Sequence, residues 1–219
     1  MNNTTTIYNA IVGSRSYGLN IDDSDIDVAL VCEQVKSSTK KIENLDYHYA
    51  DYNDFFSRVL GNKRSTYYYQ YLFPSEYIIK NELSEYIRQN NESIMSAQLN
   101  TVYNLLLRHS QVFASEKEIW WNRFPKRMMY STFFCTVLYN HANGMCFADA
   151  FRPAGDLKEW LVAARQLELN FDEIINRNSI EMRNAISVEK FYQVPENTII
   201  LNDFKQQIER QILLVKEAI

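Results

Sequence analysis

Two segments near the start of the chain constrain what it can fold into. A β-branched run, Thr6 to Val12, stops at Gly13, and an apolar run, Ile26 to Cys32, opens with Asp25 and Asp27 at its head. The first reads as a strand closed by a glycine, and the second is apolar enough to be a strand buried on both faces. Leu45 to Tyr52 alternates aromatic and polar residues, as a half-exposed third strand does. Asp51 or Asn53 then caps a helix bearing Phe55, Phe56, Val59 and Leu60, with Gly61 as its stop. Tyr77-Ile78-Ile79 is a further short strand.

Near residue 90 the pattern changes. Met95, Leu99, Val102, Leu106 and Phe113 recur at helical spacing and predict one long helix beyond Asn90. Pro125 suits a first helical turn, and the run from Lys126 stops at Asn143-Gly144. Leu157 to Leu167 and Phe171 to Ile186 predict two more helices. A last one starts near Asn202, with Phe204, Ile208, Ile212 and Val215 on one stripe. The expected architecture is α+β: a small mixed sheet with flanking helices over residues 1–90, followed by a helical domain over 91–219.

Composition narrows the function classes. The formal net charge of -4 disfavours an extended duplex-binding surface and leaves a compact substrate as the better expectation. Cys32, Cys135 and Cys146 lie far from one another and from any histidine at ligand spacing, so neither a zinc site nor a disulfide framework is expected. Without a basic, apolar leader or a span of about 20 apolar residues, the expectation is a soluble, cytoplasmic protein without a membrane partner.

Asp25 and Asp27 stand two apart at a strand start, so their side chains point to one face. Two carboxylates at that spacing can grip one or two Mg²⁺ ions, because hard cations take oxygen ligands. Alone, an Asp-x-Asp pair is more simply a solvated turn running into a strand. Its context differs here. Gly13 lets the backbone approach a phosphate, neighbouring N–H groups and the Ser14 hydroxyl can bond its oxygens, and Arg15 offers a guanidinium for bidentate contact.

The segment Gly13-Ser14-Arg15-Ser16-Tyr17-Gly18, followed by Ser24-Asp25-Ile26-Asp27, resembles the signature of the DNA polymerase beta-like nucleotidyltransferase superfamily. The similarity is to its branch of small predicted nucleotidyltransferases of bacteria and phages, and it covers roughly residues 7 to 80 with fragments beyond. Asp46 to Phe55, the helix through Leu60 and the Gly61-Asn62 turn resemble that branch's next elements, with Lys63 where a proline is usual. Phe124-Pro125-Lys126-Arg127 resembles the start of a later helix.

The resemblance implies Asp25 and Asp27 as ligands of Mg²⁺ or Mn²⁺, and Gly13, Ser14 and Arg15 at the phosphates of an NTP. It implies a third acid on an adjacent strand, which matches Asp46; Asp51 is its rival, though its position before a helix suits a cap. Lys126, beside Arg123 and Arg127, is a further candidate for the triphosphate. The expected activity is transfer of an NMP to a hydroxyl of an RNA end, a protein or a small molecule. The alternative is an inactive nucleotide-binding or regulatory module of the same fold, of the toxin–antitoxin or phage-defence kind. His48 shares a strand face with Asp46. The cluster Tyr67–Tyr71, Trp120-Trp121, His109 and His141 are read as packing residues.

Overall fold

A computed structural model of the chain describes residues 6–22, 24–33, 38–59, 69–115 and 124–217. Five strands form one mixed sheet in the order β3-β4-β2-β1-β5. The strands β1 (Thr6–Val12) and β2 (Ile26–Cys32) have the expected bounds and pair antiparallel. β2 runs parallel to β4 (Leu45–Asp51), with Asp27 in register with Asp46. A short β5 (Glu76–Tyr77) adds to the other edge of β1.

The strand β3 (Ser38–Ile42) was not anticipated by hydrophobic pattern, and all five of its residues are exposed. An edge strand needs only the ladder of its neighbour, and lysines are what such edges usually carry. It pairs antiparallel with β4 across a turn in which Glu43 takes φ 55°.

Residues opposite one another in a ladder share a face. One face therefore runs from Tyr8, Val31 and Ala50 at one end, through Ala10 and Ala29, to Asp27 and Asp46 at the other. Its apolar end is sealed by aromatics. Tyr8 meets Phe55 at 5.4 Å between ring centroids, Phe55 meets Phe204 at 6.5 Å, and the Tyr8 hydroxyl donates to the Tyr71 carbonyl at 2.8 Å.

Helix α1 (Tyr52–Val59) follows β4 directly, and Asp51 caps it by accepting from the Asp54 N–H at 2.8 Å. After α2 (Tyr69–Leu72), α3 (Glu82–Ser96) starts at Asn81, which with Ser84 forms a reciprocal capping box. The single long helix expected beyond Asn90 is thus two helices, α3 and α4 (Leu99–Ser115), and the first begins well before residue 90. The Gln98 N–H turns to Met95, and the Ala97 carbonyl accepts from the Asn197 N–H at 2.8 Å, which ends the α3 ladder. The apolar spacing continues through that break, so periodicity alone did not reveal it.

Two compact units result. One comprises the residues up to Gly18, Asp22–Gln98 and the stretch from Glu196 onward; the other is Leu19–Ile21 with Leu99–Pro195. The last helix, α9 (Thr198–Glu217), belongs to the sheet unit and starts four residues before the expected Asn202. Within that unit it buries Phe204, Ile208 and Ile212.

The second unit contains α4, α5 (Phe124–Ala142), α6 (Phe147–Ala150), α7 (Gly155–Arg165) and α8 (Phe171–Ser187). Pro125 lies in the first turn of α5, and Gly144, at φ 96°, follows its end. Ser110 and Ser131 each donate to the other's carbonyl, at 3.2 and 3.0 Å, and the buried Asn178 amide donates to the Ser131 hydroxyl at 2.7 Å. Gly61, Lys63, Arg64, Tyr67, Tyr68, Trp120, Trp121 and Arg123 lie outside the described residues. Among the described residues no helix is long and apolar enough to cross a membrane.

Candidate acidic site at the Gly13 turn

The strand starts of β2 and β4 and the strand end of β1 meet at one end of the sheet. Register there gives a row of side chains across three strands, Lys41 beside Asp46 beside Asp27, with Val12 completing it on β1. Asp25 stands two residues before Asp27 and so joins the same face. Neighbouring strands lie roughly 4.8 Å apart, so carboxylates in direct register repel unless something offsets them.

Two partners do. The Lys41 ammonium donates to Asp25 Oδ1 at 2.7 Å. His48 Nε2 meets Asp27 Oδ1 at 2.8 Å, and since a carboxylate only accepts, that nitrogen carries the hydrogen. His48 Nδ1 then lies 3.3 Å from the Thr39 hydroxyl, which fixes the ring from its other side. The Lys41 pKa is raised, first by its hydrogen bond to Asp25 and further by the charges of Asp25, Asp46 and Asp27. One ammonium therefore feels all three carboxylates.

Gly13 is required twice over. Its φ is +73°, and a Cβ on it would lie 1.9 Å from Asp27 Oδ2. The bare backbone thus rests on the carboxylate, which only glycine permits. A single helical turn, Gly13–Arg15, follows, with Ser14 and Ser16 buried. The Ser16 N–H donates to the Gly13 carbonyl at 3.1 Å, and Gly18 closes the loop by donating to Arg15. Arg15 is half-buried; its Nε is shielded from solvent and has no hydrogen-bond partner among the described residues.

The expected site residues separate as follows. Gly13, Ser14, Arg15, Asp25, Asp27 and Asp46 gather at this sheet end. Asp51 is in register with Cys32, at the opposite end of β4 and an odd number of residues from Asp46, so it faces away. Its carboxylate caps α1 instead. Lys126 is carried by the second unit, in the first turn of α5.

Sequence reasoning missed two residues here. Gln70, 6% exposed, accepts the Gly13 N–H at 2.7 Å, so that donor, expected at a phosphate, is already engaged. The one amide in the run Tyr67-Tyr68-Tyr69-Gln70-Tyr71 was its only signal. Lys41 gave none, because its strand went unread. Among the described residues no group of three or more His, Cys, Asp or Glu side chains is drawn together closely enough to hold a metal ion.

The chain matches no protein-family model and no curated protein. Among solved structures it is similar to a nucleotidyltransferase-like protein from Exiguobacterium sibiricum 255-15. That match has 11% identity, a TM-score of 0.33, and covers 94% of this chain and 74% of that one. A likeness this distant assigns no chemistry.

Proposed function

We propose that the chain is a metal-dependent nucleotidyltransferase, moving an NMP from an NTP to a hydroxyl acceptor with release of pyrophosphate. The observation that carries this reading is the side-by-side register of Asp27 and Asp46, with the Gly13 turn packed on the Asp27 carboxylate. The motif Gly13-Ser14 followed by Asp25-x-Asp27 supplies its family context.

The donors suit the ion in chemical type rather than in their present spacing. Asp25, Asp27 and Asp46 would offer it carboxylate oxygens from one face, the ligands that Mg²⁺ and Mn²⁺ prefer. Bound by these carboxylates, a divalent ion would supply Lewis-acid chemistry and offset charge on the triphosphate. The rest of the chemistry belongs to the protein. Ser14 and the guanidinium of Arg15 hold phosphate oxygens, and the buried Arg15 Nε is a donor such an oxygen would satisfy. His48 fixes the orientation of Asp27. Asp46 takes the proton of the acceptor hydroxyl as its oxygen bonds to the α-phosphorus and the bond to the β-phosphate oxygen breaks.

A second reading, a nucleotide-binding or regulatory module without turnover, draws on one observation. Asp25 and Asp27 are already paired with Lys41 and His48. Incubating the chain with each α-labelled NTP, Mg²⁺ or Mn²⁺ and cell lysate separates the two. Transfer expects a labelled RNA, protein or small molecule, lost when Asp25→Asn and Asp27→Asn are combined. Absence of label with every NTP sinks the enzymatic reading, and so does label undiminished in the double variant.

A further inference from the structure

We propose that Lys41 is a resident counter-cation of the acidic site, which a divalent ion must displace from Asp25. The inference rests on the metal-site reading above and adds a device that sets how readily the ion enters.

Asp25, Asp27 and Asp46 stand at one sheet end, and His48 Nε2 lies 2.8 Å from Asp27 Oδ1. A positive charge stands against them: the Lys41 ammonium, 2.7 Å from Asp25 Oδ1 and on the strand whose register sets it beside Asp46. It occupies the electrostatic position of a cation. A divalent ion ligated by Asp25 would meet like charge at contact distance, so the two compete for the same carboxylate.

Lys41 is built to yield. It lies on the exposed edge strand β3, on a flexible four-carbon stem, and its side chain is 57% exposed. An exposed pair of this kind is weak, so the ammonium holds the carboxylate without locking it. Lys40 provides an internal contrast. It is one residue away, in register with Tyr47, and so points to the opposite face.

The test is Mn²⁺ binding to the full chain at low ionic strength, read by electron paramagnetic resonance of the free ion. Wild type, Lys41→Met and Lys40→Met are compared, with Asp25→Asn combined with Asp27→Asn as the control on the site. Circular dichroism confirms that each variant is folded. Displacement expects Lys41→Met to bind Mn²⁺ about five-fold or more tightly than wild type. It also expects the difference to shrink as salt screens the charge, and Lys40→Met to stay within about two-fold of wild type. Equal tightening in both lysine variants shows a general field effect and overturns the proposal, as does unchanged or weaker binding in Lys41→Met. Mn²⁺ binding that survives the double aspartate variant, or is absent from both wild type and Lys41→Met, instead removes the site reading on which the proposal stands.

Discussion

The residue on which the site turns is Gly13, whose left-handed backbone and contact with Asp27 leave no room for a side chain. Gly13→Ala strains the backbone by about 1–2 kcal/mol and pushes the Asp27 carboxylate aside. Urea unfolding should report the first effect and α-label transfer the second, with activity falling far more than stability. The two candidate third acids make opposite predictions. Asp46→Asn should lower transfer by roughly 10²–10⁴-fold with little change in stability. Asp51→Ala should cost about 1 kcal/mol as a lost helix cap and leave transfer near wild type. Reversal of that pattern would exchange the two assignments. Gln70 shows why part of the site was hidden: its polar function appears only when the Gly13 N–H is seen to need a buried acceptor.

At the scale of elements, legibility followed burial. β1 and β2 were readable to the residue, because a buried strand writes its burial into an apolar run. β3 is exposed throughout and is held by the β4 ladder, so its sequence had no reason to alternate. The start of α3 was written in the Asn81 and Ser84 capping box rather than in any apolar stripe. Asn81→Ala should therefore lower stability by about 1 kcal/mol. Its side-chain amide also donates to the Ile7 carbonyl at 2.8 Å, tying the helix start to β1. An unfolding midpoint identical to wild type would show that neither bond matters. The stripe of α9 was legible as a stripe, but no amphipathic pattern says which surface it covers. Phe204, fully buried between Phe55 and Tyr86, answers that. Truncating it to alanine should cost about 3–5 kcal/mol.

For the molecule as a whole, a histidine far in sequence from the acidic site should contribute to acid sensitivity. His141 stacks on Phe147 at 3.6 Å and its Nδ1 lies 3.1 Å from the Tyr192 hydroxyl, which itself donates to the Leu138 carbonyl. Burial lowers its pKa to about 4. The folded value lies below the unfolded one, so the unfolded chain takes the proton first. This stabilisation is complete above about pH 6.5 and is lost as pH falls toward 4, on the order of 1 kcal/mol for a partly exposed ring. Thermal melts across that range should show the decline, and His141→Gln should flatten it.

Calorimetric titration of NTP into the full chain, with and without Mg²⁺, tests whether the Gly13 turn and its acids form a divalent-metal and NTP site. Binding should require Mg²⁺ and be weakened at least about ten-fold in the combined Asp25→Asn, Asp27→Asn variant, an affinity loss of about 1.4 kcal/mol or more. Equal affinity in that variant, or binding indifferent to Mg²⁺, would contradict such a site.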